Sequence, residues 1–101
     1  MSLLLERLEI KHPIFLAPMA GVSTPELAAE VSNQGGLGSL GLGANTAETT
    51  RSQILKTQAL TEQPFQVNFF CHQSIELDPT IAQTWIDFVR PNLEQSDAEP
   101  P

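Results

Sequence analysis

Apolar and polar positions fall in blocks along this chain, and the period within each block changes in a regular order. Pro13-Ile14-Phe15-Leu16-Ala17-Pro18-Met19 is a short, nearly continuous apolar run, the pattern of a strand buried on both faces, and it stops at Ala20-Gly21. Ser23-Thr24-Pro25-Glu26 then carries helix-start chemistry. Either Thr24 is the N-cap with Pro25 at the first helical position, or Ser23 and Glu26 form a capping box. Leu27, Ala28 and Val31 recur at helical spacing, and Asn33-Gln34-Gly35-Gly36 offers the left-handed residues that end helices. Leu37 to Gly43 reads as a second strand whose glycines would permit close approach of a helix or a ligand.

Asn45 or Thr46 can cap a second helix reaching about Ala59, with Ile54 and Leu55 as its core contacts and Glu48, Arg51 and Lys56 on wetter faces. Pro64 leads into a third strand, Phe65 to Cys71. Phe65, Val67 and Phe69 share one face of it; Gln66, Asn68 and Phe70 share the other, where the two amides need partners. Asp78-Pro79 opens a third helix with Ile81, Trp85, Ile86 and Val89 as its apolar face, and Pro91 ends or kinks it. Residues 94–101 form an acidic, polar tail expected to fray. Strands near 13–19, 37–43 and 65–71, each followed by a helix, predict an α/β fold of parallel strands joined by right-handed crossovers.

A chain of 101 residues is one domain at most and lies below the roughly 250 residues of a complete (β/α)8 barrel. The formal charge of −7, with no cluster of Lys or Arg, argues against a nucleic-acid partner. Cys71 stands alone, so there is no internal disulfide and no Cys/His spacing for structural zinc. It reads as a small buried residue, with no cationic neighbour in sequence to activate it. Met1 to Glu6 contains three consecutive leucines, far short of a signal core or a membrane span, so a cytoplasmic protein without a membrane partner is expected.

Gly36-Leu37-Gly38-Ser39-Leu40-Gly41 matches the dinucleotide string G-x-G-x-x-G, with Glu62 at about the distance of a ribose-binding acid. The context is wrong, because a helix precedes the string and the string lies within the strand, so no helix N-terminus meets a pyrophosphate. Leu16 to Gly21 is more informative. In a parallel α/β unit the carboxyl end of a strand and the loop after it face the ligand, and small residues there let backbone approach a flat ring.

The run from Pro13 through Ala29, continued by Ser32 through Gly41, resembles the N-terminus of the nitronate monooxygenases, formerly called 2-nitropropane dioxygenases. Leu60 to Phe70 is similar to that family's third-strand signature, and Asp78 through Pro101 to its following helix and connection. The resemblance covers nearly all of this chain and about the first third of a family member. It implies an FMN-dependent (β/α)8 barrel that oxidises alkyl nitronates with molecular oxygen. Residues 1–93 would supply its first three parallel βα units.

By the same resemblance the Ala17-Pro18-Met19 backbone lies beside the flavin and Asn68 hydrogen-bonds it. The family's catalytic histidine and its FMN-phosphate loops belong to later strands, so no catalytic residue is assigned in this chain. His12 precedes the first strand, at the end opposite the expected site, and reads as a solvated surface residue. His72 follows the third strand and reads as a loop residue in a supporting role. Two other readings stand beside the enzyme: a non-catalytic remnant or assembly fragment needing a partner with the remaining strands, and a flavin enoyl-thioester reductase, whose barrel begins in a related way.

Overall fold

The computed structural model describes residues 2–96. Its elements are α1 (Leu3–Leu8), α2 (Pro25–Asn33), β1 (Gly38–Gly41), α3 (Ala47–Leu60), β2 (Phe65–Asn68) and α4 (Pro79–Gln95). The chain divides into two compact units, Met1–Cys71 and His72–Pro101.

In the first unit β1 and β2 pair in parallel, with Gly38 opposite Phe65, Ser39 opposite Gln66, Leu40 opposite Val67 and Gly41 opposite Asn68. Leu42 N–H donates to Asn68 O at 3.1 Å, which carries the ladder one step beyond Gly41. The first expected strand is reduced to a single parallel bridge between Phe15 and Leu37. Two hydrogen bonds hold it: Leu37 N–H to Ile14 O and Leu16 N–H to Leu37 O, each 2.9 Å. Pro13 and Pro18 flank this segment without backbone donors, and Ile14 N–H turns back to His12 O at 2.7 Å, so a regular strand over 13–19 has no means to form. Nor is it buried on both faces. Ile14 is 61% exposed, because among the described residues nothing covers that side. The other two strands are likewise shorter than 37–43 and 65–71, and Cys71, expected to be buried, is exposed beyond the end of β2.

The sheet separates apolar from polar by its period of two. Leu40 and Leu42 are fully buried in a cluster with Ala28 of α2, and Leu16, Ile54 and Phe65 pack around it. Burial of each leucine contributes about 1.5–3 kcal/mol. Gly38 lies on the same face, where a Cβ would collide with Ala28 O, so α2 sits directly on the β1 backbone. Ser32 ties three segments together: its hydroxyl donates to Pro64 O at 2.8 Å and accepts the buried Gly38 N–H at 3.0 Å. The opposite face carries Ser39, Gly41, Gln66 and Asn68. There Gln66 finds the partner it needed, because its side-chain amide donates to Ser39 Oγ.

The helix starts follow their caps. Thr24 accepts the Leu27 N–H with Pro25 at N1, Thr46 accepts the Thr49 N–H, and Asp78 accepts from Thr80 and Ile81. Of the alternatives at α2 the cap is thus Thr24, and Ser23 is used elsewhere. The α2 end also follows the sequence: Gln34 caps it and Gly35 takes φ +91°. Helix α1 had no counterpart among the expected elements. Ser2 caps it, Glu9 ends it in the left-handed region, and it buries no residue; its six residues are too few for a helical period to be read.

Helix α3 corrects one core assignment: Ile54 packs on the cluster, whereas Leu55 is 51% exposed. The stripe that α3 turns inward is narrow and includes buried Thr57, whose hydroxyl is satisfied by Gln53 O at 2.9 Å. Lys56 and Glu26 form an exposed ion pair between α3 and α2.

The second unit contains α4, which passes through Pro91 and continues to Gln95. Glu94 and Gln95 of the expected tail are therefore helical, and residues 97–101 lie outside the described residues. Of its anticipated apolar face, Ile86 and Val89 are half-buried while Ile81 and Trp85 are exposed. The Trp85 and Phe88 rings meet edge to face at 5.8 Å. No helix among the described residues is long and apolar enough to cross a membrane.

Candidate functional site

Parallel pairing brings three chain segments to the carboxyl end of the sheet: residues 17–20 after the Phe15 bridge, Gly41-Leu42 at the end of β1, and Asn68-Phe69 at the end of β2. Gly41 is the hinge of this arrangement. It pairs with Asn68 on one side, and on the other a Cβ would lie 2.9 Å from Ala20 N and 3.0 Å from the Met19 carbonyl carbon. Only a residue without a side chain lets the 17–20 backbone settle there. Ala17, Pro18, Met19 and Asn68 therefore lie at one end of the sheet.

Residues 17–23 form a tight, internally bonded turn. Met19 O accepts from Ser23 N–H at 2.8 Å, from Val22 N–H at 3.1 Å and from the Ser23 hydroxyl at 2.8 Å. Met19 N–H donates back to Ser23 Oγ, and Gly21 takes φ +74°, which closes the turn. Ser23 is buried although its neighbours in the turn are exposed. Sequence alone concealed this bracing contact, since the place of Ser23 just before Thr24-Pro25 reads as capping chemistry.

The outward surface of this turn is apolar. Ala17 and Pro18 are exposed, Met19 is 38% exposed, and both backbone polar groups of Met19 are already engaged. Asn68 is half-buried, and among the described residues its side-chain amide has no hydrogen-bond partner. This end of the sheet thus combines exposed apolar side chains with one unengaged amide, which suits a ligand with an apolar body and polar edge atoms.

His12 is exposed and lies at the start of its segment, away from this end; Lys11 and His12 N–H groups both donate to Gly35 O. His72 is exposed at the first position of the second unit. A cavity of about 580 Å³ lies between Leu42, Gly43, Thr50, Ile54, Phe69 and Phe70, and Ala17, Pro18, Met19 and Asn68 do not line it. Among the described residues no cluster of three His, Cys, Asp or Glu side chains is placed to hold a metal.

A family model for nitronate monooxygenases matches residues 1–99. The chain belongs to the nitronate monooxygenase family. It is 51% identical over 98 residues to a nitronate monooxygenase of Paraburkholderia phytofirmans, covering 97% of this chain and 27% of that protein. It is 48% identical over 94 residues to one of Pseudomonas aeruginosa, again covering 27% of the relative. This family member therefore spans about a quarter of the length of the curated relatives it matches.

Among solved structures, the nitroalkane oxidase of Streptomyces ansochromogenes superposes with a TM-score of 0.83 at 37% identity, over 97% of this chain and 27% of that one. FabK from Thermotoga maritima gives 0.60 at 37% identity, over 90% and 26%. The relatives are named as nitronate monooxygenases, and the family model's match over residues 1–99 includes the strand ends described above.

Proposed function

We propose that the turn at residues 17–19 and Asn68 form one wall of an FMN site in a (β/α)8 barrel that oxidises alkyl nitronates with molecular oxygen in the cytoplasm. The observation that carries this reading is the convergence of Ala17, Pro18, Met19 and Asn68 around Gly41 at the carboxyl end of a parallel sheet, the end at which α/β folds bind ligands. FMN bound there would supply the electron-transfer chemistry. Ala17 and Pro18 offer small side chains, and Met19 an adaptable thioether, to a flat ring. The Asn68 amide can both donate to and accept from the polar edge of that ring. None of these four residues can act as a base, so their part is to bind and orient.

A flavin enoyl-thioester reductase is the less favoured reading, because the family match and the superposition at TM-score 0.83 both point to nitronate or nitroalkane chemistry. The test is a chimera in which this chain replaces the matching 27% of the Paraburkholderia phytofirmans relative. We expect it to copurify with FMN and to consume oxygen with propyl nitronate, and the 101-residue chain alone to do neither. A folded chimera without flavin would point instead to a non-catalytic remnant. Turnover by the 101-residue chain alone would contradict the need for further strands.

A further inference from the structure

We propose that Ser23 is a positioning residue of the cofactor wall: its hydroxyl engages both backbone polar groups of Met19, so that Met19 presents a hydrogen-bond-free surface to the ring. The inference rests on the FMN reading and adds to it a residue and a physical role. A ring stacked on residues 17–19 would strip water from the Met19 N–H and C=O. An unsatisfied backbone group so buried opposes binding, whereas one already bonded inside the protein does not. Ser23 removes that penalty in advance. Its Oγ accepts the Met19 N–H and lies 2.8 Å from Met19 O, while its own N–H donates to the same oxygen at 2.8 Å.

The arrangement is built rather than incidental. Ser23 is 94% buried in a turn whose other residues face solvent, and its hydroxyl also approaches Ala17 O at 3.4 Å, so one side chain spans the turn from Ala17 to Met19. The Gly41 backbone supports the turn from below, at the close approach noted above. Met19 consequently meets a ring through its side chain and its peptide plane, and Asn68 is left as the hydrogen-bonding member of the set.

Two readouts test this. In the 101-residue chain, Ser23→Ala should speed amide exchange at Met19 by about tenfold, while Ser23→Thr, which keeps the hydroxyl, should leave it within about twofold of wild type. In the chimera, Ser23→Ala should raise the FMN dissociation constant by about tenfold and alter the flavin absorbance bands, with Ser23→Thr restoring both. Ser23→Cys, of similar volume but a poor hydrogen-bonder, repeats the Ala result without a cavity should Ser23→Ala not fold.

Unchanged Met19 exchange in Ser23→Ala and Ser23→Cys would overturn the proposal. So would faster exchange with unaltered FMN affinity and spectrum. A wild-type chimera that folds but binds no FMN would overturn the functional reading and this inference with it. FMN held equally by wild type and both variants would overturn the Ser23 role alone.

Discussion

Replacing Gly41 by alanine probes the contact on which the whole strand-end arrangement depends. The backbone at Gly41 is not in the positive-φ region, so alanine is conformationally allowed and the effect is steric. The new methyl would lie 2.9 Å from Ala20 N, 3.0 Å from the Met19 carbonyl carbon and 3.2 Å from Met19 N. Comfortable contact begins at about 3.5 Å, so the turn must retreat by about half an ångström.

All three atoms are backbone, and no rotamer change relieves the overlap. The turn is cross-bonded through Ser23 and therefore moves as a unit or breaks those bonds. Overpacking of this kind costs about 1–3 kcal/mol. Loss of glycine entropy in the unfolded chain returns about 0.4–1 kcal/mol, leaving a net cost of about 1–2 kcal/mol. With a urea dependence of about 1–3 kcal/mol per molar, the denaturation midpoint of the 101-residue chain should fall by about 0.3–2 M. In the chimera the displaced turn should raise the FMN dissociation constant by about tenfold or more. A midpoint equal to or above wild type would refute the reasoning, since it would mean that the turn yields to the methyl at no cost.

Gly38→Ala should be more damaging to stability, because its methyl would overlap Ala28 O and crowd the Ser32 hydroxyl that holds α2, β1 and the β2 entry together; a loss of about 3 kcal/mol or more by denaturant titration is expected. Asn68→Ala in the chimera should weaken FMN binding by about 1–3 kcal/mol, whereas His12→Ala should change it little, as read from flavin absorbance after dialysis. Glu26 is held below its ordinary pKa of 4.5 by the hydrogen bond from Lys56, aided by a backbone hydrogen bond. Its folded-state pKa is depressed, so the stabilisation is present above about pH 4.5 and fades as pH falls through the lowered value. Glu26→Gln should abolish that part of the acid dependence of the denaturation midpoint, and salt should weaken it in wild type.

Local signals dictated most of the helical architecture. Thr24 with Pro25, Thr46 and Asp78 with Pro79 start helices because each oxygen reaches an N–H only two or three residues away, a contact that no distant part of the chain need supply. The positions of β1 and β2 were readable for a similar reason: one face of each must enter the helix-covered core, and a period of two with Leu40, Leu42 and Phe65 on that face allows one register.

What could not be read depended on partners remote in sequence. Leu55 carries the same apolar side chain as a core residue, and its exposure was settled by the narrow stripe that α3 turns toward its neighbours. Pro13 and Pro18 cut the first strand to a bridge because its only described partner, Leu37, meets it at one residue. Gly41 was visible as a place where something could come close, but that the visitor is the Met19-Ala20 backbone followed only from parallel pairing. Ser23 looked like a cap in one dimension. It became the bracket of the Met19 turn because Gly21 turns the chain back and delivers a buried hydroxyl to a carbonyl four residues upstream.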